Sequence, residues 1–228
     1  MSSVKKDLFA QFARVGKALA NPHRLELVEL LAQGERSVED LARLSGLSVA
    51  NASQHLQRLR QAGLVRSRKS GPRVYYALSG ADVIALLDAL RAVAERHLAE
   101  VDRLVRTYLT VKDALEPVAR EELLARARRG EVTVIDVRPA EEYAAGHLPG
   151  ALHLPLDELE RRLSELDPDQ EIIAYCRGPH CVLAFDAVAR LRARGLRARR
   201  LQDGYPEWAL AGLPVERGEP EKGRHAQA

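Results

Sequence analysis

Two domains of different class are predicted for this 228-residue chain. Residues 1–110 read as mainly helical with one antiparallel hairpin, and residues 119–216 as α/β with a parallel central sheet. Three observations lead there. Apolar residues recur at helical spacing through the first half, interrupted once by a turn flanked by alternating residues. Past residue 119, short apolar runs that end in a polar or reactive residue alternate with helical segments. Charge also divides: residues 1–110 carry 17 Lys+Arg against 11 Asp+Glu, and residues 111–228 carry 18 against 21, giving the chain its net +3. Hydrophobic residues at 46% and charged residues at 29% describe a folded chain.

The first helix carries Leu8, Phe9, Phe12 and Leu19, and the second carries Leu25, Leu27, Val28, Leu30 and Leu31. Asn21 caps the second helix and Pro22 takes its first position; Gly34 ends it. Ser37 caps a short helix through Leu41, Ala42 and Leu44, with Asp40 three residues on, and Gly46 stops it. Ser48 opens the next helix. Its inner face is Val49, Ala52, Leu56 and Leu59, which leaves Asn51, Gln54, His55 and Arg58 outward. A short helix, a glycine turn and a second helix with small polar outward residues form a helix-turn-helix. Val65 to Arg68, the turn Ser70-Gly71-Pro72, and Val74-Tyr75-Tyr76 then read as a hairpin, a wing beside that helix. No acid occurs over 41–81, which holds Arg43, Arg58, Arg60, Arg66, Arg68, Lys69 and Arg73. One-sign charge of this extent points to a polyanion, here double-stranded DNA.

The segment from the ALANPHRL entry through SQHLQRLRQAGLV to the VYY wing strand resembles the ArsR/SmtB family of repressors along nearly its whole length. The resemblance implies a winged helix-turn-helix homodimer meeting two half-sites of an operator. It places Ser48, Asn51, Ser53, Gln54, His55 and Arg58 of the recognition helix, and Arg68, Lys69 and Arg73 of the wing, at the DNA. The stripe Val83, Leu86, Leu90, Val93, Val101 and Leu104 fits a dimer interface; periodicity alone fits an intrachain core equally well. Metal-sensing relatives use a cysteine motif before the recognition helix, where this chain has Glu35-Arg36-Ser37-Val38-Glu39-Asp40. Others pair an Asp and a His with a later His-x-x-Glu. His97 and Glu100 form that later half, but Ile84 and Leu86 stand at the earlier positions. No metal site and no cofactor is expected.

In the second half, Val111 to Val118 reads as a linker. Helical Glu121 to Arg128 precedes the run Val132 to Val137, and the run Glu171 to Tyr175 ends at Cys176. A helix from Cys181 to Arg194 and a further strand from Arg197 to Leu201 follow. Groups at the C-terminal ends of parallel strands are where such sheets place their chemistry. Cys176 begins the loop Arg177-Gly178-Pro179-His180-Cys181, which leads into a helix. Backbone N–H groups of such a loop converge on one point, and a thiol there loses its proton readily. Arg177 and His180 add positive or donor character for an anionic sulfur donor. The only two cysteines of the chain are this pair; so few, so close, suggest chemistry, and not a disulfide framework.

Asp136-Val137-Arg138, Glu142-Tyr143, Gly146-His147-Leu148-Pro149-Gly150-Ala151, Tyr175-Cys176-Arg177-Gly178 and Gly204-Tyr205-Pro206-Glu207-Trp208 resemble the rhodanese family in order and spacing. The resemblance implies that Cys176 takes a sulfane sulfur from a small anion such as thiosulfate, becomes a persulfide, and passes the sulfur to a thiol acceptor. Asp136 and Arg138 are expected to support the loop as a buried pair. His147 and Trp208 are assigned to packing. Cys181 departs from the family's usual basic or hydroxyl-bearing residue, and three readings stay open: a small buried residue, a resolving thiol for Cys176, or a metal ligand with His180, which so tight a loop disfavours.

The function expected is a DNA-binding regulator, in the repressor mould, whose rhodanese half forms a persulfide and senses or transfers reactive sulfur. The alternative is a thiosulfate-type sulfurtransferase tethered to a DNA-binding dimer without regulatory coupling. A rhodanese half that only binds a partner is disfavoured by the intact Cys176. No apolar run approaches the roughly 18 residues that span a bilayer. Arg14 and Lys17 break the N-terminal pattern, which is not that of a secretory signal. A cytoplasmic protein without a membrane partner is expected, with a disordered tail over 217–228.

Overall fold

The structure, a computed structural model, describes residues 3–110 and 117–218, and of residues 108–110 the backbone alone. The chain divides into two compact units, Met1–Leu90 and Arg91–Ala228. Of the expected linker, 111–116 lie outside the described residues. Val118 belongs to the second unit: it is fully buried, and its N–H donates to the Arg200 carbonyl at 2.8 Å. Of the expected tail, 219–228 lie outside the described residues, while the Gly218 N–H donates to Ala144 O at 3.0 Å.

The first unit holds α1 (Ser3–Leu19), α2 (Pro22–Ala32), β1 (Arg36–Ser37), α3 (Val38–Leu44), α4 (Val49–Gln61), β2 (Val65–Ser70), β3 (Arg73–Leu78) and the start of α5 (Asp82–His97). Each of the three central helices starts where a side chain caps it. Asn21 accepts from the Arg24 N–H, Ser37 from Asp40 and Ser48 from Asn51, so each relieves one of the amides a helix start leaves unpaired. The buried Arg24 guanidinium donates to the carbonyls of Ala18 and Lys17. It satisfies the end of α1 while opening α2, a physical reason for the arginine of the NPHRL entry. Leu27, Val28, Leu31, Leu41, Ala52, Leu56, Leu59 and Tyr76 form the core.

The wing is a two-residue hairpin, Ser70 opposite Arg73. Gly71 stands at φ 58°, the left-handed backbone such a turn requires at its first central position. A third strand was not foreseen: β1, only two residues long, pairs Arg36 with Tyr76 and Ser37 with Tyr75. Two expectations for α4 are corrected. Val49, placed on the inner face, is 50% exposed. It sits in the first turn, before the helix reaches the core. His55, placed outward, is half-buried against His23, with ring centroids 5.7 Å apart.

The helix that carries the expected stripe over 83–109 is not continuous. Val83 and Leu87 are buried, whereas Leu86 and Leu90 are exposed. α5 stops at His97, Leu98 is extended, and α6 (Ala99–Leu104) and a π-helical turn (Val105–Thr110) follow.

The second unit continues with α7 (Arg120–Arg128), β4 (Val132–Asp136), α8 (Ala140–Ala145), β5 (Leu152–His153), β6 (Glu171–Tyr175), α9 (Val182–Ala193), β7 (Ala198–Arg200) and α10 (Tyr205–Leu210). The strands form one parallel sheet in the order β5-β4-β6-β7. The two inner strands, β4 and β6, are buried on both faces and read as largely apolar runs, and the two-residue period sorts their residues into two cores. Ile135, Val137, Ile172, Ala174 and Cys176 pack with Ala184, Ala187 and Val188 of α9. Val132, Val134, Ile173 and Tyr175 pack on the other face with Leu123 of α7 and Trp208 of α10.

Burial first, then the charges of Arg24, His23 and Arg58, hold the His55 imidazole below the ordinary histidine value. The unfolded chain therefore takes up the proton first. The resulting stability is fully present above about pH 6.5 and is lost as pH falls toward the depressed value. Urea unfolding of the full chain at about pH 7.5 and about pH 5.5 should show a smaller acid loss in His55→Gln than in wild type. Equal losses would remove His55 from this account.

Candidate functional site

Cys176 is the first residue beyond β6. Continuing the strand's alternation, its side chain enters the α9-side core, where it is 1% exposed. The open thiolate expected from the sequence is not what the structure holds. Cys176 is bonded to Cys181, with Cα atoms 6.1 Å apart. Cys181 is partly exposed and is the N-cap of α9, its side chain making no capping hydrogen bond.

Both ends of the loop are anchored. The Cys181 N–H donates to Gly178 O at 3.1 Å, and the Cys176 carbonyl accepts from the Tyr205 N–H at 3.0 Å. The Cys181 amide is thus engaged within the loop. Gly204 presses against the same turn. A Cβ there would fall 2.3 Å from Gly178 N and 2.4 Å from Arg177 C, so only glycine admits this contact.

Arg177 was expected to receive the donor anion. Instead it donates to the fully buried Glu142, Nε to Oε2 at 2.9 Å and Nη2 to Oε1 at 2.7 Å. A fork-to-fork pair of this kind fixes the arginine and ties the loop to α8. Within the second unit His180 stands 3.4 Å from Glu95.

Asp136 and Arg138 have no exposed side-chain surface and are joined at 2.6 Å. The Tyr175 hydroxyl donates to Asp136 Oδ2 at 2.5 Å and accepts from the Leu148 N–H at 3.1 Å. Arg138 also donates to Gly146 O at 2.7 Å, and its guanidinium lies 4.5 Å from the Tyr205 ring centroid. Burial, and then the Asp136 charge, push the Tyr175 phenol well above its ordinary value, which keeps it a proton donor. His147 stacks on Tyr143 at 3.7 Å and the Trp208 indole N–H donates to Pro214 O at 2.9 Å. A cavity of about 500 Å³ lies on the α9 side of the sheet, lined by Val137, His153, Leu183 and Arg190 among others. Residues 176–181 are not in its wall.

On the first unit, Asn51, Gln54 and Arg58 are exposed along α4, and Ser53 is half-buried. Ser48 is used as the helix cap. Lys69 and Arg73 are exposed at the end of the wing. Arg68 is held by Glu35, Nε to both carboxylate oxygens at 2.9 Å, and lies over the Tyr75 ring at 4.8 Å. Among the described residues no group of three His, Cys, Asp or Glu is placed to hold a metal, and no helix is long and apolar enough to cross a membrane.

The pattern described as bacterial regulatory protein, arsR family, matches residues 21–67, and that of the rhodanese-like domain matches residues 119–211. HTH-type transcriptional regulator Rv0324 of Mycobacterium tuberculosis is 49% identical over 219 residues, 96% of each chain. The chain belongs to the arsR family, in a form that carries a rhodanese-like domain. This arsR-family chain is a transcriptional regulator with a winged helix-turn-helix. The chain is also 35% identical over 86 residues to a sulfurtransferase of Allochromatium vinosum, covering 37% of this chain and 78% of that one. A solution NMR structure of the homodimeric winged helix-turn-helix domain of Mb0332 from Mycobacterium bovis is 48% identical. It covers 43% of this chain and 91% of its own, with a TM-score of 0.41.

Three residues that matter here had no assigned role in the sequence: Glu142, Tyr175 and Gly204. All lie inside the quoted motifs, so the motif strings carried the signal, but their partners are 35 to 39 positions away for Glu142 and Tyr175. Removing one side of a buried pair leaves a charge without a partner, at about 3–5 kcal/mol. Arg138→Met should therefore lower the denaturant stability of the second unit by about that amount. A loss well under 1 kcal/mol would show that the pair does not hold this sheet end.

Proposed function

We propose that this regulator binds operator DNA as a homodimer and receives sulfane sulfur at Cys176 from a small anionic donor such as thiosulfate. A thiol accepts the sulfur, and the bonding state of Cys176 sets operator affinity. The observation that carries the reading is the placement of Cys176 at the C-terminal end of the central parallel strand, in a loop anchored by Tyr205 and Gly204 and closed by Cys181. Reduction of that bond frees the nucleophile. With Arg177 held by Glu142, an incoming anion meets the loop backbone and not a mobile guanidinium.

Support for two copies comes from the apolar surface of α1, where Val4, Leu8, Phe9 and Phe12 are exposed, and from Leu86 and Leu90 of α5. Clusters of this kind on a folded unit call for a partner surface. At the DNA, Asn51 and Gln54 offer the amide pair that reads an adenine edge, Arg58 reaches guanine or phosphate, and Lys69 and Arg73 meet the backbone. Arg68 and Ser48 act mainly as supports, because Glu35 and the Asn51 amide already occupy them. The likeness to a sulfurtransferase favours, as second reading, an enzyme whose turnover leaves DNA affinity unchanged.

With a duplex selected by the full chain from a random-sequence pool, Lys69→Ala and Arg73→Ala should each weaken all duplexes alike. Each should lower the slope of log K against log salt by about 1. Asn51→Ala should cost about 1–3 kcal/mol on the selected duplex and relax the preference at one base pair. A uniform loss for Asn51→Ala would place it at a phosphate.

Anisotropy titrations before and after thiosulfate should show a shift in operator affinity for wild type and none for Cys176→Ser. A full shift in the variant removes Cys176 from sensing. Rapid thiosulfate:cyanide turnover with affinity indifferent to the donor establishes the enzyme reading.

A further inference from the structure

In a plain sulfur-transfer cycle, Cys176 alone would suffice, and the outer sulfur of its persulfide would wait for a thiol from solution. Here a second thiol is already in place. The Cα separation of 6.1 Å lies within the roughly 4.4–6.8 Å that a disulfide spans. Two backbone hydrogen bonds, Tyr205 N–H on the Cys176 carbonyl and Cys181 N–H on Gly178 O, anchor the two ends of the loop at that spacing. Cys181 is the more exposed of the two and stands at the N-terminus of a 12-residue helix, where a thiolate is stabilised.

We propose that Cys181 is a catalytic resolving nucleophile and that the loop, when no external thiol has taken the outer sulfur, reduces it to hydrosulfide and ends as the Cys176–Cys181 disulfide. This rests on persulfide formation at Cys176. In the first step the Cys176 thiolate attacks the outer sulfur of thiosulfate. A sulfur–sulfur bond forms on Cys176, the donor's sulfur–sulfur bond breaks, and sulfite leaves with the electron pair. In the second, the Cys181 thiolate attacks the Cys176 Sγ. The Sγ–Sγ bond forms, the bond to the outer sulfur breaks, and that sulfur leaves with the pair and takes a proton as hydrosulfide. Two thiols have been oxidised, and one sulfane sulfur has accepted two electrons. Two equivalents of an external thiol, oxidised to their own disulfide, restore the dithiol. Between reductions the loop is closed, because the bonded Cys176 is buried and cannot meet a second donor.

The full chain, reduced, freed of reductant and kept from air, is given thiosulfate, and samples are alkylated at intervals for intact mass while hydrosulfide is trapped. Wild type should gain one sulfur transiently, then convert to the disulfide with one equivalent of hydrosulfide released. Cys181→Ser should keep the added sulfur on Cys176 and release hydrosulfide at least about tenfold more slowly, since it loses an intramolecular attack. Serine is a preferred N-cap, so this variant retains α9; Cys181→Ala checks that the effect is loss of the thiol. Hydrosulfide release by Cys181→Ser at the wild-type rate, or a wild-type persulfide that persists without disulfide, overturns the resolving role while leaving sulfur loading intact. Failure of wild type and Cys181→Ser alike to gain sulfur on Cys176 overturns the persulfide itself, and the resolving step with it.

Discussion

The buried Asp136–Arg138 pair is the constraint on which the sulfur loop depends. Two charges without solvent contact are costly, by several kcal/mol each, unless their remaining hydrogen-bonding capacity is filled. Here it is filled by the elements that must meet at the C-terminal end of the sheet. The Arg138 amide and guanidinium take the Asp136 carboxylate from β4. The Tyr175 hydroxyl reaches it from β6, and Gly146 O receives the far side of the guanidinium. Tyr175 and Cys176 are consecutive, so fixing the phenol on one face of the sheet fixes the direction of the thiol on the other. A one-residue slip of β6 would exchange the two faces and take the Tyr175 hydroxyl away from the Asp136 carboxylate.

Around that pair, the supports of the loop follow from chain direction. Tyr205 lies over Arg138 and also donates its amide to the Cys176 carbonyl. Gly204, its neighbour, packs against Gly178, and the Glu207 carboxylate returns to the Gly204 N–H at 3.0 Å. The GYPEW string is thus a clamp. It starts α10, covers the loop backbone and touches the buried arginine, three tasks that need glycine, an aromatic ring and an acid in that order. Glu142 of α8 holds Arg177. The loop is therefore set by contacts from α8 and α10 together with its own Cys176–Cys181 bond.

Much of this was legible in one dimension. Caps at Asn21, Ser37 and Ser48, the Gly71 turn and the runs ending at Asp136 and Tyr175 are local signals, set by neighbours within four residues. The buried pair was also legible, because Asp136 and Arg138 sit two apart on one strand end and follow a motif. What escaped depends on distant partners. β1 is two residues long and exists only because β3 is beside it. Arg68 and Arg177 read as free cations, but Glu35 and Glu142, 33 and 35 positions away, had claimed them. His55 read as outward by helical angle, yet His23 from α2 covers it. The two outward amides Asn51 and Gln54, both exposed, stayed where periodicity put them.

The same distinction separates the two kinds of surface this chain presents. A DNA-reading helix must leave its donors unclaimed by its own unit, so its residues gain from solvent exposure and lose little by waiting. A reactive sulfur gains nothing by waiting exposed, because an open thiolate reacts with any oxidant that reaches it. Placing Cys176 in the α9-side core, with Cys181 able to bond over it, meets that constraint. The buried sulfur is protected when closed, and the partly exposed one offers the point at which an external thiol must attack to open it. In the proposed cycle exposure then fixes the order of attack: reductant first at Cys181, donor second at Cys176. A chain with the positions reversed, the buried cysteine on the helix cap and the exposed one at the strand end, would admit donor and reductant to the same sulfur and lose that order.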